Sequence, residues 1–245
     1  MTIKVLNYNI HRGTDSAKNY NLEATCAAIK GSGAEIVGIQ EIDRNWSERS
    51  NWEDQVEILT KVLGMKSVFA ASIDLPPKTP GGPNRQLGNG LFSKYPILSP
   101  QVHHMYINDD PNLAYDGTRE TEPRSILEAK IDLGEKTISV LCTHLSVHSR
   151  KERLRQIGKL EGIIKRIEGS LILLGDLNAS PDSEEILRLR KILIDPSLGK
   201  GLVTKPNEKR QVDYILVRDL KVDEIKVLKS DASDHLPLLA KLTLG

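Results

Sequence analysis

The sequence is poor in cysteine, poor in aromatic rings and almost without net charge. Two cysteines, Cys26 and Cys142, are all that its 245 residues contain, and they stand far apart in apolar settings. A disulfide framework is thereby excluded, as is a thiolate cluster at zinc spacing, which leaves buried thiols. Two Phe, two Trp and six Tyr leave few rings for a base-stacking platform. Lys+Arg 34 against Asp+Glu 33 excludes a chain that wraps a duplex through a concentrated basic surface. The longest apolar runs, such as Leu171–Leu174, are strand-sized, so no segment is expected to span a membrane. The chain enters a strand-like run at once (Ile3, Val5, Leu6), with no cationic segment followed by an apolar stretch. The expected location is therefore cytoplasmic.

What the sequence does contain is a folded protein's balance, 39% apolar and 27% charged residues. Its length suits one large domain or two small ones. Alternation predicts a strand over Ile3–Ile10, followed by a helix over Leu22–Lys30 and a strand over Glu35–Gln40. A helix at Gln55–Leu63 and a strand at Val68–Ala71 lead into a Pro- and Gly-rich stretch, Leu75–Gly90, which reads as a long binding loop. Short strands follow at Leu91–Ser93, Ile97–Met105, Ile126–Ile131 and Thr137–Thr143, the last two joined at Leu133-Gly134. Arg150–Ile167 is the longest predicted helix, with Leu154, Ile157, Leu160, Ile164 and Ile167 at helical spacing. Ser170–Leu174, the helix Ser183–Leu193, and strands Val212–Val217, Val222–Val227 and Pro237–Leu242 complete the chain. No linker or repeat interrupts this order. It suits an α+β fold, two sheets packed face to face with helices outside, in one domain over residues 1–245.

Polar residues gather where the apolar runs stop. The first strand ends Asn7-Tyr8-Asn9-Ile10-His11 and the second Gln40-Glu41-Ile42-Asp43. The strand at Val140 ends Thr143-His144-Leu145-Ser146, and Leu171–Gly175 runs into Asp176-Leu177-Asn178. Ser233-Asp234-His235-Leu236-Pro237 precedes the last strand. Singly each has an ordinary explanation, such as an Asx-turn at Asp176 and Asn178 with Ser180 capping a helix. Together they place carboxylates, amides and imidazoles at a common kind of position.

The ordered set LNYNIHRG, IVGIQEID, GNGLFSKYPI, EPRSILEAKI, CTHLS, LLGDLNASPDS, QVDYILV and SDHLPL resembles the endonuclease/exonuclease/phosphatase superfamily, metal-dependent phosphoesterases with a DNase-I-like fold. The resemblance runs from Leu6 to Leu239. It implies a four-layer α/β-sandwich, two mostly antiparallel sheets flanked by helices, with the site at one edge of both sheets.

Phosphoester hydrolysis needs a cation on the phosphoryl oxygens, a base for the water and help for the leaving oxygen. Mg²⁺, with Mn²⁺ as substitute, takes oxygen ligands and few carboxylates. The resemblance implies that Glu41 and Asn9, the latter through its amide oxygen, hold the metal, with Asp234 near it or the water. Asp176 is read as the base, and Asn178 as the donor to a phosphoryl oxygen; an extended i, i+2 pair points both to one face. His144 and His235 are carried over as phosphate-binding or acid residues, and Asp213 as the carboxylate that orients His235. Arg124 matches an arginine that contacts the phosphate in relatives with the THL motif. Some relatives have aspartate where this chain has His11, which leaves His11 facing either metal or phosphate. Asn89, between Gly88 and Gly90, is a weaker candidate in a turn. His103, His104 and His148 have no motif support and read as surface or packing residues.

The substrate is less legible. The helix at Arg150–Arg166 carries seven basic residues against Glu152 and Glu161, a pattern that a solvated face also produces. The first reading is a phosphodiesterase or phosphatase, monomeric, acting on a small molecule, a lipid head group or a short nucleic acid. The second is a DNA or RNA nuclease, and the third a catalytically inactive binding module on the same fold. Trp46 and Trp52 follow Glu41 closely and are the rings expected to meet any base or lipid.

Overall fold

In the computed structural model, which describes residues 1–118 and 120–245, two sheets lie face to face. Strands β1 (Thr2–Asn9), β2 (Ile36–Arg44), β3 (Lys66–Leu75) and β4 (Arg85–Ser93) belong to the first sheet. Strands β5 (Ile97–Met105), β6 (Arg124–Asp132), β7 (Thr137–His144), β8 (Leu171–Asp176) and β9 (Asp213–Arg218) make the second. Strands β10 (Leu220–Val227) and β11 (Leu238–Leu244) return to the first. The orders are β10-β11-β1-β2-β4-β3 and β5-β6-β7-β8-β9. All pairings are antiparallel except β1 with β2 and β7 with β8.

Helices α1 (Leu22–Ser32) and α2 (Gln55–Leu63) cover the outer face of the first sheet, and α3 (Arg150–Arg166) and α4 (Glu184–Leu189) that of the second. The helices start where short polar side chains satisfy free backbone donors. The Ala24 N–H donates to Asn21 Oδ1, Glu57 N–H to Asp54 Oδ1 and Glu152 N–H to Ser149 Oγ. Between the sheets, Ile3, Val5 and Leu91 meet Leu127, Val140, Ile172 and Leu174, all fully buried. Close approach fixes glycine at position 38, where a Cβ would come within 2.7 Å of Leu174 Cδ1. The sandwich is thus the four-layer α+β architecture read from the sequence.

One segment differs. The stretch read as a loop through Gly90 is already a strand from Arg85, and only the residues between Leu75 and Arg85 form a loop. The glycines that suggested a turn lie within β4 for want of space. A Cβ on Gly88 would stand 1.9 Å from the Ala70 carbonyl oxygen, and one on Gly90 2.5 Å from Ile42 Cδ1. Strand glycines of this kind mark close backbone approach.

The two parallel pairs put four C-terminal strand ends at one edge of the sandwich. Asn9 ends β1, Glu41 lies near the end of β2, His144 ends β7 and Asp176 ends β8. The sheets meet there through polar contact, since Asn9 Nδ2 of the first donates to Asp176 Oδ2 of the second at 3.0 Å.

Candidate active site

Glu41 reaches the site through an irregularity in β2. The register against β4 shifts between Ile39 and Ile42, and Glu41 takes a left-handed backbone with φ 56°. A bulge re-aims a side chain, and a non-glycine residue holds such a φ only where its surroundings impose it. His11 (φ 46°) and Arg12 (φ 61°) share this strain in the turn after β1, as does Asn178 (φ 48°) after β8.

The Glu41 carboxylate accepts from Asn9 Nδ2 at 3.2 Å and lies 3.5 Å from Arg12 Nε. Burial alone raises its pKa, yet the charge of Arg12, with the Asn9 amide, outweighs it. The group is held well below the usual carboxylate range. Asn9, expected as an amide-oxygen ligand, is engaged at both ends of its amide. Its nitrogen bridges Glu41 and Asp176, while Oδ1 accepts from the His11 N–H at 2.9 Å. His11 Nδ1 points toward Asp234 Oδ1 at 3.6 Å and is buried without a hydrogen-bond partner among the described residues.

Asp176 is the hub. Its Oδ2 accepts from Asn9 and lies 3.5 Å from His144 Nε2 and 3.7 Å from His235 Nε2. Its Oδ1 accepts from the backbone N–H of Asn178 at 3.0 Å, the Asx geometry expected from the sequence. The Asn178 side chain lies beside His144 Nε2 at 3.0 Å and donates to the Leu145 carbonyl at 3.0 Å.

The surroundings separate the two histidines that the sequence reading treated alike. His235 Nδ1 lies 2.8 Å from Asp213 Oδ2. Burial acts to lower its pKa, but the carboxylates of Asp213, Asp176 and Asp234 overcome that and raise it to about 9. His235 is therefore cationic at neutral pH. His144 is buried; its Nδ1 accepts from Arg124 Nη1 at 3.1 Å, and its Nε2, which then carries the single ring proton, lies 3.0 Å from Asn178 Nδ2 and 3.5 Å from Asp176 Oδ2. Burial and the Arg124 charge push its pKa down to about 3 against Asp176 and Glu41. A ring so placed resists a second proton, and His144 stays neutral.

Arg124 is itself buried, paired with Glu122 at 2.7 Å, and its Nε has no partner among the described residues. A buried guanidinium donor without an acceptor is the kind of orphan that an anion satisfies. Around these groups lies a supporting network. Asn7 Nδ2 donates to Asp213 Oδ1 at 3.4 Å, Gln40 Nε2 donates to Asn7 Oδ1 at 2.9 Å, and the Ser233 hydroxyl donates to the Asn9 carbonyl at 2.8 Å.

Asn89 belongs elsewhere. It sits inside β4, not in a turn, and its amide donates to the Ser125 carbonyl at 3.0 Å, tying the first sheet to the strand that carries Arg124. His103 pairs with Glu128 at 2.7 Å. Trp46 is packed on Ile73 and Leu87 with the Arg49 guanidinium 4.6 Å over its ring, which covers the face a base would use. Trp52 remains half-exposed.

The sequence reading passed over Arg12 and Lys205. Arg12 had a signal, since it follows His11 in the same strand-end motif. Lys205 had none, lying in an irregular segment eight residues before Asp213.

The residues fit a hard divalent cation. Glu41 is an ionised carboxylate held in a strained bulge, with Asp234 and the unpartnered His11 Nδ1 nearby, and oxygen donors of this kind suit Mg²⁺ or Mn²⁺. The tightest Asp/His grouping among the described residues is instead Asp176, Asp213 and His235, with ligand atoms within 4.8 Å. There His235 Nδ1 lies 2.8 Å from Asp213 Oδ2, which leaves Glu41 as the carboxylate that would hold a cation.

Two mixed sheets packed face to face, with polar strand ends meeting at one edge, define a DNase-I-like four-layer sandwich. The chain belongs to the endonuclease/exonuclease/phosphatase family, whose sequence model matches residues 6–235 and whose members are generally phosphoesterases. It is 29% identical over 131 residues to the UPF0294 protein of Vibrio campbellii, a match covering 50% of this chain and 46% of that protein. The chain thus matches about half the length of that curated relative. Its fold is similar to that of the endonuclease/exonuclease/phosphatase from Beutenbergia cavernae (TM-score 0.78, 20% identity, 100% of this chain and 72% of that one). It is also similar to the Bacteroides vulgatus endonuclease/exonuclease/phosphatase (0.75, 18%, all of both chains) and to the human Nocturnin catalytic domain (0.68, 17%, 100% of this chain and 94% of that one).

Proposed function

We propose that the chain is a divalent-metal-dependent hydrolase of phosphoester bonds, acting through Asp176 as general base, with residues 1–245 forming one catalytic unit. The observation that carries this reading is Asp176 itself, an acceptor-rich carboxylate at the junction of both sheets, within reach of a neutral and a charged histidine.

Glu41, with Asp234, would hold a divalent cation, which would supply positive charge to the phosphoryl oxygens. Asp176 orients a water and takes its proton as the water oxygen bonds to phosphorus. The bond to the ester oxygen breaks, and His235, charged and fixed by Asp213, gives that oxygen a proton. The products are the alcohol and the phosphate. Arg124 Nε donates to the phosphoryl oxygens, which carry more charge in the transition state than in the bound ester; the Asn178 amide, held by His144 and the Leu145 carbonyl, joins it on reorienting. His144, neutral, holds Arg124 and Asn178 in position.

A long duplex is a poor substrate for this surface. Three of the seven basic residues of α3 face acidic partners, Arg150 on Glu184, Arg153 on Glu185 and Arg155 on Glu152. A binding module without chemistry has no use for a buried donor lacking an acceptor at Arg124 and a strained, ionised Glu41. Turnover of bis(p-nitrophenyl) phosphate with Mg²⁺, lost in Asp176→Asn, tests the proposal.

A further inference from the structure

Across the edge of the second sheet the polar groups form a row. Arg124 on β6 meets His144 on β7, His144 lies beside Asp176 on β8, and Asp176 pairs in register with Asp213 on β9. Beyond Asp213 the row continues into the segment that precedes β9. There Thr204 stitches the site together. Its hydroxyl accepts from the backbone N–H of Val212 and of Asp213, both at 3.1 Å, and its carbonyl accepts from the N–H of Leu236 at 2.7 Å. One residue thus holds the carboxylate that orients His235 and the residue that follows His235.

Lys205 comes next. A tight turn, closed by the Lys205 N–H on the Arg210 carbonyl at 3.0 Å and opened by Pro206, fixes its backbone. Its side chain is only 18% exposed, with Nζ 3.1 Å from Glu208 Oε1. Burial opposes its charge, but Glu208 together with Asp176 and Asp234 raises its pKa, so the ammonium is firmly charged. Lys205 thus directly follows the residue that ties Asp213 to Leu236, at the β9 end of the row whose other end is Arg124.

We infer that Lys205 is the specificity-determining cation of this site, binding the additional negative charge of a phosphomonoester, and that phosphomonoesters are its preferred substrate class over diesters. The inference rests on the proposed placement of the reacting phosphate over Asp176. A diester carries a single negative charge, which Arg124 and His235 already face. A monoester dianion carries one more charge and one more unesterified oxygen. Lys205 supplies the matching cation, and Glu208 occupies only one of its three ammonium donors. A lysine point charge suits an oxygen that presents no fixed planar geometry.

The test compares p-nitrophenyl phosphate with bis(p-nitrophenyl) phosphate, which share a leaving group and differ in charge, using the Mg²⁺-loaded protein. Wild type is expected to favour the monoester. Lys205→Gln should lower kcat/KM for the monoester at least about tenfold more than for the diester, mainly through KM, as loss of a charge-assisted hydrogen bond would. Lys205→Arg, which keeps the charge, should recover most of the difference. Inorganic phosphate should bind Lys205→Gln about tenfold more weakly by titration calorimetry. Equal losses on both esters with a lowered melting temperature would show a structural lysine and overturn the inference. A third arm uses thymidine 5′-(p-nitrophenyl phosphate) with and without a 3′-phosphate. Lys205 dependence confined to the 3′-phosphorylated ester would mean that a neighbouring phosphate is read, which also overturns it. Absence of turnover on every ester, with phosphate binding still dependent on Lys205, would sink the hydrolase reading and leave the anion site standing.

Discussion

His144 and His235 approach the same carboxylate oxygen, Asp176 Oδ2, at 3.5 and 3.7 Å, and carry opposite protonation. The difference comes from their far sides. His235 faces the carboxylate of Asp213, whereas His144 faces the guanidinium of Arg124. Environments that push two titrating groups apart assign them different tasks. In the proposed mechanism the charged ring donates the proton and the neutral ring is a fixed support.

Asp213→Asn should therefore cost kcat far more than KM. The amide keeps the shape but leaves His235 without its counter-charge, and a loss of roughly 10²–10⁴-fold is expected when a positioned acid is disabled. Steady-state kinetics on bis(p-nitrophenyl) phosphate measure it, and a loss below tenfold would remove His235 from the proton path.

The same contrast predicts two branches in stability against pH for the metal-free protein. The His235 pKa is raised from 6.5 to about 9 on folding, so the native state binds its proton more tightly. That stability is complete below about 6.5 and lost as pH rises through about 9. The His144 pKa is lowered from 6.5 to about 3, so its contribution is present above about 6.5 and lost as pH falls toward about 3. Urea unfolding across this range should show the alkaline branch flattened in Asp213→Asn and the acid branch retained.

Chelation should abolish turnover, and Mg²⁺ or Mn²⁺ should restore it. In Glu41→Gln the affinity for Mn²⁺, read by calorimetry, should fall at least about 100-fold, the upper end of the cost of losing even an outer partner of a metal site. Unchanged Mn²⁺ binding would place the cation elsewhere, with Asp176 and Asp213 the next carboxylates to test.

Asn89→Ala should act on stability more than on turnover. The Ser125 carbonyl loses a buried donor and keeps the Thr143 hydroxyl at 3.0 Å, so a cost of about 1–3 kcal/mol is expected. Thermal unfolding measures it.

Much of this was legible in the sequence because strand ends are marked by abrupt changes from apolar to polar residues. Asn9, Glu41, His144, Asp176 and His235 all sit at such changes, and the topology brings them to one edge. The errors have physical causes as well. Gly88 and Gly90 look like turn residues, whereas the close approach of Ala70 and Ile42 excludes a Cβ inside β4. The direction of the Asn9 amide and the unlike charges of the two histidines depend on neighbours far away in sequence, and no local pattern encodes them. Lys205 belongs to the same class, since what matters about it is that its neighbour Thr204 is tied to Asp213 and Leu236.

The most direct test of the account is turnover of bis(p-nitrophenyl) phosphate by Asp176→Asn with Mg²⁺, alongside its melting temperature and Mn²⁺ affinity. The account predicts a folded protein that still binds the cation at Glu41 and loses nearly all activity. Activity close to wild type in that variant would contradict it.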